Sequence, residues 1–349
     1  MPQDINTTNI TQASFPQKSR IVFMGTPQLA ATILDKLINW QGGEIIAVYT
    51  QPDRPAGRGY SLKASEVKTL ALKHKLSVYQ PLNFKNHEDI KNLAAFKPDF
   101  LIVAAYGLIL PQAVLDIPKY LPINVHTSLL PFYRGAAPIQ RAVMNAEVVS
   151  GITIMKMEAG LDTGPILLQK ALAIGINETA GTLHDQMAEL GAELLIEALE
   201  KIKQGKIQPL AQDNTKASYA AKLSKEDGLI NFNQKALKIH AHIRGVTPYP
   251  GAFAFLTRDD EPSIKVNFLA GEMLNDSTAY NNYIALNQQN ERPKHGTILG
   301  LENDKLAVVC QDKIYLIPQL QPAGKKIMSA VAFYNGYLAK FKHCRFSLT

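Results

Sequence analysis

From Arg20 to about Ile207, short apolar runs alternate with stretches whose apolar positions recur at helical spacing. This is the pattern of an α/β domain, a mostly parallel sheet with helices on both faces. Arg20 to Met24 predicts a first buried strand and Leu29 to Ile38 the helix after it. In the turn between them Gly25 permits a tight bend, Thr26 can cap the helix and Pro27 suits its first position. Further strands are predicted at Glu44 to Thr50, Phe100 to Ala105 and Leu121 to His126, with a helix from Ser65 to His74. Gly151 to Met157 and Ile166 to Ala173 alternate as a hairpin-like pair. Thr182 to Gln204 predicts a long helix with Leu183, Met187, Leu190, Leu194 and Leu195 along its apolar side.

Beyond Gly205 the pattern changes character. Polar residues 205–218 read as a linker, and one helix, about Gln234 to Arg244, precedes short strands at Gly251 to Leu256, Ile264 to Leu269, Thr297 to Leu301, Lys305 to Cys310 and Lys313 to Pro318. Short strands with turn signals between them predict a smaller β-barrel. Residues 275–295, rich in Asn and Gln, read as a surface loop, with Tyr280 to Leu286 as an optional extra strand. The expected organisation is a disordered leader at 1–19, a catalytic domain at 20–204, a linker at 205–218 and a second domain at 219–349.

Composition narrows the function classes. The chain has 349 residues, 46% of them hydrophobic, enough for two cores, and no apolar run approaches the roughly 20 residues of a membrane-spanning helix, so a soluble protein is expected. The first nineteen residues lack the hydrophobic block or arginines of a targeting segment, and the cytoplasm is the expected compartment. Cys310 and Cys344 stand far apart without a metal-binding spacing, so neither a disulfide framework nor a metal site is expected. Charge is uneven: 19 Lys and Arg against 18 Asp and Glu through residue 205, then 18 against 12, so the second part carries +6 of the net +7. That excess suits a polyanionic partner. A monomer is expected.

The chemistry-bearing residues are few. In Ile123-Asn124-Val125-His126, period-two alternation puts Asn124 and His126 on one face at the end of a strand, where open sheets build their sites. Asp162 lies in a glycine-flanked turn between the two later strands. Asn, His and Asp together supply what acyl transfer to an amine requires. An Asn amide or a His N–H can donate to the oxygen on which charge builds, and Asp can orient and charge the imidazole. An amine nucleophile with a pKa near ~8 is already partly neutral, so placement outweighs strong base catalysis. A dinucleotide-dependent oxidoreductase is disfavoured, because Gly25-Thr26-Pro27 lacks the three-glycine fingerprint that cradles pyrophosphate.

Asn124-Val125-His126, Ser128-Leu129-Leu130-Pro131 and Tyr133-Arg134-Gly135-Ala136-Ala137-Pro138-Ile139-Gln140, followed by Asp162-Thr163-Gly164, closely resemble the pattern of the folate-dependent formyltransferases. Gln51-Pro52-Asp53-Arg54-Pro55-Ala56-Gly57-Arg58-Gly59 and Leu320-Gln321-Pro322-Ala323-Gly324-Lys325-Lys326 extend the likeness from about Arg20 to Ala332. The resemblance implies a Rossmann-like first domain that holds 10-formyltetrahydrofolate as formyl donor, and a second domain resembling an OB-fold. It implies initiator methionyl-tRNA as acceptor, Asn124, His126 and Asp162 as the catalytic trio, and Ser128, Leu129, Leu130 and Pro131 as a folate-contacting segment. Tyr106 to Leu110 is expected to line the pterin side. Arg58 and Arg54 in the early loop, with Lys325 and Lys326 near the end, are expected to meet the tRNA. Two departures from the pattern are Thr127, where many relatives have Gly, and Tyr60-Ser61, where a basic pair is common.

Overall fold

The computed structural model describes residues 17–56, 61–259, 261–274, 278, 281–282 and 293–349. The first predicted strand is β1 (Ser19–Gly25), whose Ile21, Val22, Phe23 and Met24 are wholly buried. It pairs in parallel with β2 (Gly43–Tyr49) on one side, which in turn pairs with a short β3 (Val78–Tyr79). On the other side it pairs in parallel with β4 (Phe100–Ala104), and β4 with β5 (Leu121–His126). Central strands covered on both faces read as continuous apolar runs rather than as alternation, which is why β1 and β4 were legible. Then the sense reverses, because β6 (Val149–Lys156) and β7 (Ile166–Ala173) add antiparallel to β5. The seven-stranded order is β7-β6-β5-β4-β1-β2-β3.

Helices fill the crossovers. α1 (Gln28–Asn39) buries Leu29, Ile33, Leu34 and Leu37, the apolar stripe expected of it. Its N-cap is Pro27 with no side-chain capping bond, so the expectation for Thr26 is corrected. The Thr26 hydroxyl instead donates across the sheet edge to Tyr106 O at 2.9 Å. Gly25 is required by space: a Cβ there would lie 2.6 Å from Ala30 Cβ and 2.9 Å from Ala104 O. α2 (Glu66–Lys73) is capped by Ser65, whose side chain accepts from Lys68 N. α3 (His87–Ala95), α4 (Gln112–Leu115) and α5 (Pro138–Met144) follow, and α6 (Ala180–Lys203) is the long helix. Among the described residues, no helix is long and apolar enough to cross a membrane.

By contact, the chain divides into two units. One comprises the chain to Pro138, Val149–Ala173 and His184–Ala221; the other comprises Ile139–Val148, Ile174–Leu183 and Lys222–Thr349. Neither unit is one continuous stretch, unlike the division at 20–204 and 219–349 read from composition. Residues 205–218 are not a free spacer either. Leu210 exchanges backbone hydrogen bonds with Ile166 at 2.8 Å each way, and Tyr219–Ala220 pairs in parallel with Arg134–Gly135. Polar composition misled here because those polar groups bond to the first unit.

The second unit contains α7 (Ala236–Gly245) and two antiparallel sheets. Its strands are β8 (Ala252–Arg258), β9 (Glu261–Phe268), β10 (Glu272–Leu274), β11 (Ile298–Glu302), β12 (Lys305–Val309), β13 (Ile314–Ile317), β14 (Gln319–Pro322), β15 (Met328–Ser329) and β16 (Cys344–Ser347). The five-stranded sheet runs β15-β14-β9-β8-β16 and the four-stranded one β10-β13-β12-β11. An antiparallel bridge, Thr297 to Arg345, links them. Inward Ala252, Ala254 and Leu256 of β8, with Phe268, Tyr315, Phe333 and Phe346, make this core, and α8 (Ala330–Tyr337) closes onto it. Of the stretch 275–295, Thr278, Asn281 and Asn282 are helical; the optional strand at Tyr280 to Leu286 and most of the expected loop lie outside the described residues.

Candidate active site

The parallel strands all end on one edge, and β1 and β4 are neighbours there although three strands apart in sequence. Open α/β sheets form their crevice at such a switch point. The loops at this edge are braced by polar bonds. Thr26 Oγ1 and Gln51 Nε2 both donate to Tyr106 O, each at 2.9 Å, and Gln80 Nε2 donates to Gln51 O at 2.8 Å. Asp53 accepts from Lys68 Nζ at 2.6 Å and from Gln80 at 2.9 Å. The Lys68 hydrogen bond, then that of Gln80, holds the Asp53 carboxyl below the usual carboxylate range.

One strand further out, β5 presents Asn124 and His126 on the same face, as period-two alternation predicted. His126 is only 6% exposed, and its Nε2 lies 3.0 Å from Tyr133 O. A carbonyl oxygen can only accept, so Nε2 carries the hydrogen. That leaves Nδ1, which faces Asp162 Oδ1 at 3.8 Å. The other carboxylate oxygen, Oδ2, accepts from Gly135 N at 2.8 Å. The loop after β5 thus ties both groups, with Tyr133 O on His126 and Gly135 N on Asp162. Asn124 is half-buried, and among the described residues its carboxamide makes no side-chain hydrogen bond. It is an open amide at the end of the strand.

Local backbone geometry sets these groups in place. Ala105, Tyr133 and Asp162 all adopt positive φ, at 44°, 59° and 51°. Non-glycine residues held in that region cost on the order of 1–3 kcal/mol each and persist where surrounding bonds over-determine them. Gly135, at φ 116°, could not be replaced by a side-chain-bearing residue without its Cβ meeting Ala220 O at 2.9 Å.

The segment Ser128 to Pro131 has two faces. Ser128 is wholly buried, and its hydroxyl donates to Phe132 O at 2.6 Å. Thr153 Oγ1 donates to Ser128 O at 2.6 Å and accepts from Leu130 N at 3.0 Å, while Leu130 packs inward on Met155 and Ile166. Ser128 and Leu130 therefore shape the loop, and the half-buried Leu129 and Pro131 are the side chains it leaves available. Beside the ends of β4 and β5, Ile109 is 92% exposed and Phe132 47% exposed, apolar surface left uncovered on this edge. Burial raises the phenols of Tyr106 and Tyr49 well above the usual range, so both are neutral packing groups.

Arg54 lies exposed on a small ribbon in which Arg54–Ala56 pairs with Ser61–Lys63, and its guanidinium donates to Gln51 Oε1. Arg58 lies outside the described residues. In the second unit, Lys325 and Lys326 are both exposed on the turn after β14, where Gly324 takes φ 73°. Sequence reasoning missed Tyr133 O, Gly135 N and Gln212. The first two act through backbone atoms, whose roles no side-chain pattern carries, and Gln212 lies in the segment read as a linker.

The family model described as formyl transferase matches residues 19–199, and that described as formyl transferase, C-terminal domain, matches residues 222–338. The chain belongs to the formyl transferase family. A methionyl-tRNA formyltransferase of Nitratidesulfovibrio vulgaris (strain DP4) is 50% identical to it over 321 residues, which are 92% of this chain and 94% of the relative. That of Pseudomonas putida (strain GB-1) is 44% identical over 92% of this chain and 97% of the relative. Among solved structures, the N-formyltransferase from Helicobacter canadensis, in complex with folinic acid and dTDP-3-aminofucose, shares the fold with a TM-score of 0.61 at 18% identity, covering 86% of this chain and 98% of that one. HypX from Aquifex aeolicus, in complex with tetrahydrofolic acid, gives 0.53 at 14% identity over 93% of this chain and 48% of its own.

Proposed function

We propose that the protein transfers the formyl group of 10-formyltetrahydrofolate to the α-amino group of methionine esterified to initiator tRNA. The observation that carries the reading is the convergence of His126 and Asp162, 3.8 Å apart, beside the open amide of Asn124 on one sheet edge. The amine nitrogen attacks the formyl carbon, the carbonyl oxygen becomes an oxyanion, and the bond from carbon to the donor nitrogen breaks. The electron pair of that bond returns to the donor nitrogen, which takes a proton, while the attacking nitrogen loses one.

The geometry supports a division of labour. With its Nε2–H directed to Tyr133 O, His126 offers Nδ1 as the atom that takes up the amine proton and passes it on. Asp162 stabilises the imidazolium so formed. Asn124 supplies the hydrogen bond to the oxyanion, a contribution of roughly 3–4 kcal/mol where such donors have been removed. Leu129, Pro131, Ile109 and Phe132 suit the flat apolar ring system of a folate, and Ser128 and Leu130 hold the loop that presents them. The solved relatives that hold folinic acid and tetrahydrofolic acid support a folate donor.

The acceptor reading rests on the relatives at 44% and 50% identity, with the basic second part of the chain as physical support. Arg54, Arg58, Lys325 and Lys326 are the proposed contacts to tRNA phosphates. The reading includes a monomer acting in the cytoplasm, where initiator tRNA is charged and used.

Purified protein given labelled 10-formyltetrahydrofolate and methionyl initiator tRNA should produce formylmethionyl-tRNA. Asn124→Ala and His126→Ala should each lower kcat by roughly 100-fold or more. No transfer to tRNA, with transfer to a nucleotide-linked amino sugar instead, would overturn the acceptor assignment.

A further inference from the structure

The active-site loop that carries Asp162 is held from outside the strands that frame it. Gln212 Nε2 donates to Asp162 O at 2.8 Å and to Gly164 O at 2.7 Å, so both amide hydrogens are committed to the two carbonyls that flank Thr163. Its oxygen, Oε1, accepts from Arg134 Nε at 3.1 Å and from Arg134 Nη2 at 2.7 Å. Arg134 is 2% exposed, and its Nη2 also donates to Asn214 Oδ1 at 2.8 Å. A buried guanidinium is thereby met by neutral amide oxygens, and it fixes which way the Gln212 amide faces. Arg134 cannot accept, so the oxygen must point to it and the NH2 to the turn. The amide cannot flip without placing donor against donor.

The consequence falls on Asp162. Its left-handed φ of 51° is uncommon for a non-glycine residue, and surrounding bonds help to hold it. The pins are Gln212 on its carbonyl and Gly135 N on its carboxylate. Gly135 follows Arg134 directly, so the same arginine that orients Gln212 stands next to the N–H that orients the carboxylate. Ser218 O and Ala220 O, which accept from Arg134 N at 2.8 Å and Ala136 N at 3.0 Å, close the brace.

We infer that Gln212 is a positioning residue for formyl transfer, holding the Asp162 turn so that its carboxylate meets His126. The inference rests on the proposed role of Asp162. Displacing a reacting group by about 1 Å from its working position costs up to ~100-fold in rate, which sets the scale of the expected effect.

Gln212→Glu separates this role from fold maintenance. It keeps an oxygen for Arg134, with added charge attraction, but replaces the donor to Asp162 O and Gly164 O by an acceptor. The variant should lose roughly 10- to 100-fold in kcat. KM for both substrates should stay within about two-fold, the signature of an interaction expressed in the transition state. Combined with Asp162→Asn, it should add less than about two-fold to the loss of the single Asp162 variant, because both act through one carboxylate. Gln212→Asn retains every polar atom one methylene short and should show an intermediate loss; it serves as the readout should Gln212→Glu fold poorly. Wild-type kcat in both Gln212 variants overturns the inference while leaving Asp162 in place. A loss that multiplies in full with that of Asp162→Asn, or that comes with a raised KM and a lowered thermal midpoint, assigns Gln212 to the scaffold and also overturns it. Full activity of Asp162→Asn alone removes Asp162 from the mechanism and the inference with it.

Discussion

His126 shows how a single hydrogen bond restricts what a residue can do. Because Nε2 is tied to Tyr133 O, the ring has one working nitrogen, and that nitrogen faces a carboxylate. In the proposed reaction Asn124 carries the oxyanion role, so Asn124→Asp should be at least as harmful as Asn124→Ala. The introduced carboxylate would oppose the developing charge, and single-turnover rates of the two variants compare them directly. Gly135→Ala tests the loop from the other side. Its Cβ would press on Ala220 O while φ is held at 116°, and an expected loss of about 1–3 kcal/mol in denaturant unfolding should accompany a fall in kcat. Arg58→Ala should raise KM for tRNA and leave folate binding unchanged; a weakened folate site instead would remove Arg58 from the tRNA contacts. At this scale the shared face of Asn124 and His126 was legible from alternation, whereas Asp162 read more readily as an ordinary turn former. The contacts that hold it, from Gly135 N and Gln212, leave no trace in local sequence.

Strands and helices were legible in proportion to how much apolar surface they bury. β1, β4 and α6 announce themselves by long apolar runs or stripes. α3 buries only Leu93, and its clearest mark is the Asn86 cap accepting from Glu88 N, so it was not foreseen. The ribbon formed by Arg54–Ala56 and Ser61–Lys63 lay hidden in a stretch rich in Pro and Gly. α7 carries a pH dependence of its own. His240 Nε2 donates to Ile176 O at 2.9 Å and Nδ1 lies 2.9 Å from the Tyr315 hydroxyl, which accepts from Gly271 N. Burial, followed by the neighbouring Arg244 charge, lowers the His240 pKa, and burial likewise lowers that of His242. Below about pH 6.5 the unfolded chain binds protons that the folded one refuses, so stability falls as pH drops through that value. Thermal midpoints measured between about pH 7.5 and about pH 5.5 should decline accordingly. The decline should be smaller in His240→Gln, although that variant starts less stable.

For the whole molecule, composition located the excess of positive charge but not the two earlier pieces that group by contact with the second unit. The second unit takes Ile139–Val148 and Ile174–Leu183 from the earlier sequence. Those pieces are not incidental: Arg141 pairs with Asp227 at 2.8 Å, and Glu178 O accepts from the buried Arg244 at 2.6 Å. A fragment spanning residues 222–349 should therefore be unstable alone, with the Arg244 guanidinium robbed of a partner, and circular dichroism with a thermal scan would reveal a full native transition if this were wrong. The +6 carried after residue 205 should make KM for tRNA rise steeply between about 50 and about 300 mM salt, since phosphate contacts release counterions. An acceptor KM indifferent to salt would leave that charge without a role in tRNA capture.

Because Gln212 and the Tyr219–Ala220 strand come late in the chain, birth order matters for this enzyme. Synthesis runs from the amino end, so the Asp162 turn leaves the ribosome fifty residues ahead of the amide that fastens it, and β5 earlier still. A nascent chain can build its sheet early, yet it acquires a fastened catalytic loop only after residue 220 has emerged. Premature termination within that interval yields a protein with Asn124, His126 and Asp162 in place and only Gly135 N, without the Gln212 amide, to hold the Asp162 turn.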